Sequence, residues 1–128
     1  MRYLLDTNVL SRQDTHPRAR AWILQHQLQI GLASMTIAEI AQGIESLPPS
    51  RRRLQLEKLL AEMLEDFPVV VFGTNEALVW GRYVSKASRP LPMRDSVIAA
   101  TALANNLQVV TENERDFPEV ETVNPFKD

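Results

Sequence analysis

The chain has 128 residues, with 14 Lys+Arg against 16 Asp+Glu, and a formal net charge of −2. This length predicts one domain over 1–128 with a single core, and 45% hydrophobic with 23% charged residues excludes a mainly disordered chain. Cysteine is absent and the two histidines, His16 and His26, share one early segment, which excludes disulfide scaffolds and zinc–thiolate sites and argues against a His-rich metal site or a Ser/His/Asp triad.

Taken in order, Arg2-Tyr3-Leu4-Leu5 is a short apolar run that reads as a strand and stops at the turn-forming triplet Asp6-Thr7-Asn8. Pro17 opens a helix through Trp22, Ile23 and Leu24 toward Gln27. Ile30-Gly31-Leu32-Ala33 is a second strand. Ser34 or Thr36 then caps a helix whose apolar positions, Ile37, Ile40, Ala41, Ile44 and Leu47, recur at three- and four-residue spacing. Pro48-Pro49-Ser50 breaks the chain and starts a helix lined by Leu56, Leu59, Leu60, Met63, Leu64 and Phe67, ended by Pro68. Val69-Val70-Val71-Phe72 is a β-branched run of the kind a buried parallel strand shows. A helix over 75–87 and a loop over 88–92 follow. Residues 95–106 form a nearly all-apolar, buried helix, Leu107-Gln108-Val109-Val110 a strand ending at Thr111, and 120–123 a last short strand. Strand–helix alternation without linkers or repeats predicts a three-layer α/β sandwich with a mainly parallel central sheet flanked by helices.

The apolar run after Met1 is interrupted at Asp6, and the longest apolar stretch, Val97 to Ala104 with one Thr in it, is far below the roughly 20 residues that span a bilayer. A soluble, cytoplasmic protein is expected. The acidic balance implies that any nucleic acid is held by something other than bulk positive charge, for which a divalent cation is the obvious candidate.

Ligand sites in such sheets lie beyond the carboxyl ends of the strands. Asp6 sits where the first strand stops, Asp95 where the apolar helix begins, and Asp116 after the strand that ends at Thr111. Each has a plain structural explanation as a cap of a turn or helix, and Glu39, in mid-helix, reads alone as a solvated glutamate. As a set, Asp6, Asp95 and Asp116 fall on one edge, where like charges repel and raise the pKa of at least one of them. A divalent cation removes that penalty, and hard oxygen ligands without Cys or nearby His select Mg²⁺ or Mn²⁺ over zinc. Carboxylate clusters with such ions serve phosphodiester hydrolysis, which requires no nucleophilic side chain.

The segments Leu4-Leu5-Asp6-Thr7-Asn8-Val9-Leu10, Thr36-Ile37-Ala38-Glu39-Ile40, Arg94-Asp95-Ser96-Val97-Ile98-Ala99-Ala100-Thr101-Ala102 and Val110-Thr111-Glu112-Asn113-Glu114-Arg115-Asp116-Phe117 resemble the four motifs of PIN-domain proteins, most closely VapC-like toxins of type II toxin–antitoxin modules. Val123-Asn124-Pro125-Phe126 resembles the C-terminus of many of these toxins. The resemblance spans essentially the whole chain. It implies a PIN fold, Mg²⁺-dependent endoribonuclease activity with Mn²⁺ as a substitute, and an RNA substrate. It also implies a homodimer, and a cognate antitoxin that binds it in a hetero-oligomer. Carried over by position, Asp6, Glu39, Asp95 and Asp116 are the acidic, metal-holding quartet, with Asp6 and Asp95 the surest ligands. Thr7, Asn8, Thr111 and Asn113 are supporting polar groups. Glu112 stands where the family commonly has a basic residue. Residues 112–121 thus carry five acids, Glu112, Glu114, Asp116, Glu119 and Glu121, against Arg115, and Glu112 is an alternative to Asp116 as the acid facing the metal.

Arg82, Lys86 and Arg89 follow three- to four-residue spacing and, with Arg94, are RNA-binding candidates beside the acids. Arg51-Arg52-Arg53 reads as a solvated helix end, and Trp22 and Trp80 as core or interface residues. The apolar faces of 37–47 and 56–67 offer either a groove for an antitoxin helix or ordinary core packing. Two other classes stay open. A phosphatase using Asp6 as nucleophile would carry Asp-x-Asp, where this chain has Asn8. A catalytically inactive PIN-like RNA- or protein-binding module keeps the fold without turnover.

Overall fold

The structure, a computed structural model, describes residues 1–12 and 15–127. In these residues five strands form one sheet: β1 (Tyr3–Leu5), β2 (Ile30–Ala33), β3 (Val69–Val70), β4 (Gln108–Val110) and β5 (Thr122–Val123). Among the described residues six α-helices connect them: α1 (Thr7–Arg12), α2 (Pro17–His26), α3 (Ser34–Glu45), α4 (Arg51–Asp66), α5 (Thr74–Ser85) and α6 (Met93–Ala104). The strand order is β3-β2-β1-β4-β5 and every pairing is parallel. This is the predicted layered α/β sandwich.

The central strand sets the two faces. Side chains alternate along a strand, so Tyr3 and Leu5 point to one layer and Leu4 to the other. Tyr3 and Leu5 pack with Val9, Leu10, Ile23, Met63 and Phe67. Leu4 packs with Ile98, Ala99, Ala102, Val109 and Phe117. The small side chains of α6 let that helix lie close against the sheet, and residues 96–102 are all buried, as their composition predicts. Helix α5 packs on α6 and has no buried residue of its own. The stop of α6 is built on Asn106, in the left-handed region at φ 55°, with Leu107 N–H donating to Ala102 O at 2.9 Å. Among the described residues no helix is long and apolar enough to cross a membrane.

Several local expectations are corrected. Asp6-Thr7-Asn8 does not make a turn; it opens α1, with Val9 N–H donating to Asp6 O at 3.2 Å. Neither Ser34 nor Thr36 caps α3: the cap position is Ala33 with no side-chain bond, and Ser34 is already helical. Asp95 is not an N-cap, because α6 starts two residues earlier, after Pro92. The run 69–72 is not a buried strand. Only Val69–Val70 pairs, at the sheet edge beside β2, and Val71 is 63% exposed. A β-branched run reports strand propensity but not whether a neighbour covers it. Ser50 does cap α4 as expected from the break at 48–50, accepting from Arg53 N–H at 3.1 Å. Trp22 packs beside the core, while Trp80 donates its indole N–H to Ser96 Oγ at 2.9 Å.

Candidate active site at the carboxyl edge of the sheet

Register places Leu5 between Leu32 and Val110, so Asp6 leaves the carboxyl end of the central strand flanked by both neighbours. Its side chain is buried and held at both oxygens. Oδ1 accepts from Thr7 N–H at 2.8 Å and Oδ2 from the Thr111 hydroxyl at 2.9 Å. The Thr111 hydroxyl in turn accepts from Asn113 N–H at 3.0 Å, which fixes the direction in which it donates. Asn113 therefore contributes through its backbone, and its side chain is exposed. Burial pushes the Asp6 carboxyl above its ordinary pKa; the Thr111 and Thr7 hydrogen bonds oppose this, and the charges of Glu39 and Asp116 add to it.

Glu39 is brought over the end of β1 by Thr36, which is fully buried and donates to Leu5 O at 3.3 Å. Glu39 is not the solvated glutamate its position alone suggests. Its Oε1 accepts from Thr7 Oγ1 at 3.0 Å and its Oε2 from Arg94 Nη1 at 2.7 Å. Asp95, one residue beyond Arg94, is half-buried in the first turn of α6. Ser96 and Trp80 clamp that end of the helix, since Ser96 Oγ also donates to Met93 O at 2.8 Å. Burial raises the Asp95 carboxyl to a pKa of about 6, the charges of Asp116, Asp6 and Glu39 push the same way, and Arg94 opposes them.

Asp116 ends a single helical turn over Glu114–Asp116, anchored by buried Phe117. Its charge acts on both Asp6 and Asp95. Glu112, the alternative, has its carboxylate tied to the Arg12 guanidinium, which also stacks over Phe126 at 4.7 Å. The structure thus brings Asp6, Glu39, Asp95 and Asp116 into one electrostatic group and leaves Glu112 at an ion pair of its own. Asn8 Oδ1 is buried without a partner among the described residues.

The expected Arg82–Lys86–Arg89 stripe is not continuous, because α5 stops at Ser85. Arg82 is exposed on the helix. Lys86 and Arg89 instead line a cleft of about 370 Å³ with Tyr83, Pro118 and Glu119, and the Arg89 guanidinium donates to Arg115 O beside Asp116. Arg94 is engaged with Glu39 rather than presented freely. Sequence reasoning missed the Arg94–Glu39 and Arg12–Glu112 pairs and the role of Thr36; a threonine inside an apolar stretch was the available signal for the last.

As the side chains stand, no three acidic or histidine groups among the described residues converge tightly enough to chelate one ion. The chemistry of the group nonetheless fits a hard divalent cation. All donors are oxygens, and the charges of Asp6, Glu39 and Asp116 all bear on Asp95 at one edge of the sheet, against the single opposing charge of Arg94.

A parallel sheet with acids from four separate segments gathered at its carboxyl edge defines an α/β protein with a polar site at the strand ends. The PIN domain family profile matches residues 3–123, and the chain belongs to that family. It is 31% identical to the plasmid stability protein StbB of Pseudomonas syringae pv. tomato, covering 97% of this chain and 98% of that protein. It is 26% identical to ribonuclease VapC of Rickettsia bellii over the full length of both. The crystal structure of FitAcB from Neisseria gonorrhoeae superposes with a TM-score of 0.83 at 27% identity, covering 97% of this chain and 98% of that one.

Proposed function

We propose that this chain is a Mg²⁺-dependent endoribonuclease, with Mn²⁺ able to substitute, acting in the cytoplasm as the toxin of a type II toxin–antitoxin pair. Membership of the PIN domain family and full-length similarity to a protein named ribonuclease VapC support the RNA-cleaving class. The observation that carries the mechanism is geometric: Asp6 leaves the end of the central strand with both oxygens held by Thr7 and Thr111, Glu39 is tied to the same Thr7, and the charges of Glu39 and Asp116 bear on Asp6 and Asp95.

In this reading Asp6 and Asp95 hold the cation, with Glu39 and Asp116 completing the acidic surround. A bound divalent cation would supply the Lewis acidity that activates water and stabilises the leaving oxygen of the phosphodiester. The chain's own groups prepare for it. Thr111 and Thr7 hold the Asp6 oxygens in place, and Asp95, with its carboxyl at a pKa of about 6, would offer its ionised form to the cation near neutral pH. Lys86 and Arg89 supply the positive charge that an acidic protein needs beside the site for RNA phosphates.

The same reading assigns the chain a second copy as homodimer partner and a cognate antitoxin. Apolar surface between α3 and α4, around Ala41, Ile44, Leu60 and Leu64, is suited to an antitoxin helix. The test is cleavage of total RNA by purified protein with and without Mg²⁺ or Mn²⁺, beside Asp6→Ala. Cleavage that needs the cation and disappears in Asp6→Ala is expected. A folded, cation-loaded wild type that leaves RNA intact would overturn the catalytic reading in favour of a binding module.

A further inference from the structure

Arg94 stands at the acidic edge as a cation supplied by the chain itself. Its Nη1 lies 2.7 Å from Glu39 Oε2, and the other Glu39 oxygen is taken by the Thr7 hydroxyl at 3.0 Å. The two partners differ in freedom. The Glu39 side chain is 14% exposed, whereas that of Arg94 is 67% exposed. Glu39 is held between α1 and α6 through Thr7 and Arg94, while the Arg94 side chain already lies mostly in water. Arg94 also opposes the charges of Asp116, Asp6 and Glu39 at Asp95.

We propose that Arg94 is an exchangeable counter-ion of the carboxylate group: it holds Glu39 when no divalent cation is present, and cation and guanidinium compete for that carboxylate. This rests on reading the acidic edge as a cation site. The physical argument is charge balance. Carboxylates gathered at one edge repel one another, and a monovalent guanidinium at Glu39 relieves part of that repulsion. A divalent cation relieves more of it but meets the guanidinium as a like charge at short range. Release of Arg94 relieves that repulsion and returns its guanidinium to solvent. Arg94 thereby acts through Glu39, as a positioning residue.

The experiment is a Mn²⁺ titration of the full chain without RNA, read by the free-Mn²⁺ paramagnetic resonance signal and by thermal unfolding. It compares wild type, Arg94→Met, Arg94→Lys and, as a control for the cation site, Asp6→Asn. Arg94→Met should unfold at lower temperature without metal, yet reach half-saturation at a roughly tenfold lower Mn²⁺ concentration, because a like charge has been removed. Arg94→Lys should fall between the two. If Arg94 only braces α3 against α6, Arg94→Met loses stability with an unchanged or weaker Mn²⁺ midpoint, and the proposal is overturned. If wild type and Asp6→Asn both fail to take up Mn²⁺, the cation-site reading itself falls, and the exchange falls with it. Circular dichroism on each variant, with Arg94→Gln as a second neutral replacement, separates these outcomes from misfolding.

Discussion

The Thr111 hydroxyl donates to Asp6 Oδ2 at 2.9 Å, joining residues 105 apart in sequence across the β1–β4 pairing. Thr111 is itself fully buried and its backbone N–H donates to Val123 O at 2.9 Å, so the hydroxyl is aimed by the sheet rather than by a flexible loop. Thr111→Val removes the donor and leaves a buried carboxylate oxygen short of a partner. We expect a loss of about 1–3 kcal/mol in stability and a further rise in the Asp6 pKa. RNA cleavage should fall with it, while Thr111→Ser recovers most of both. Urea unfolding of the three proteins checks this; equal midpoints would show that the bond contributes nothing.

The pH dependence of stability follows from Asp95. Its carboxyl is raised from 3.8 to about 6 in the folded protein, mainly by burial. Between those values the folded protein keeps a proton that the unfolded chain has lost. The contribution is therefore fully present below the unfolded value and is lost as pH rises through about 6. Asp6 is shifted in the same direction. Without divalent cation, the melting temperature should fall across this window in the wild type and fall less in Asp95→Asn. Because a cation binds the ionised form, Mn²⁺ should raise the melting temperature more at about pH 7.5 than at about pH 5. Parallel pH profiles for the two proteins would remove Asp95 as the cause.

The core beneath the site makes a separate demand. Leu4 is fully buried in the middle of β1 and packs against Ile98, Ala99 and Val109. Leu4→Ala should cost about 2–5 kcal/mol, the range for a cavity in a well-packed core. Leu54→Ala, at a position 66% exposed on α4, should cost well under about 1 kcal/mol. Because Asp6 is two residues from Leu4, surviving Leu4→Ala protein should also bind Mn²⁺ more weakly, which titration beside Leu54→Ala would reveal.

Much of the fold was legible because buried parallel strands and an all-apolar helix write themselves as unbroken apolar runs. Tyr3–Leu5, Ile30–Ala33 and 96–102 are of that kind. The acids were legible as a set because each lies at or shortly beyond the border of such a run, as Asp6, Asp95 and Asp116 do, or in the helix that follows one, as Glu39 does. Sequence did not reveal which member of 112–116 turns inward. Glu112 and Asp116 have the same chemistry, and the choice depends on Arg12, a hundred residues away, capturing Glu112. Nor did it reveal that α1 starts at Thr7, because Asp, Thr and Asn favour turns and helix starts alike. The basic stripe failed for a similar reason: helical spacing at Arg82, Lys86 and Arg89 carries no notice that the helix ends at Ser85.

That break decides how the basic residues should behave. Lys86 and Arg89 line the cleft against Pro118, two residues beyond Asp116, whereas Arg82 stays on the exposed helix outside it. Lys86→Glu should therefore weaken RNA binding and flatten its salt dependence, by about 0.7 in the log–log slope for each single-strand phosphate that is no longer neutralised. Its kcat at saturating RNA should stay close to wild type. Arg82→Glu should do less. Arg89 also grips the turn that carries Asp116 through Arg115 O, so Arg89→Glu should lower kcat as well as raise KM. Cleavage assays over a range of NaCl, with KM and kcat separated for each variant, provide the check. An equal effect of Arg82→Glu and Lys86→Glu would mean that RNA follows the outer face of α5, and the cleft would lose its assignment.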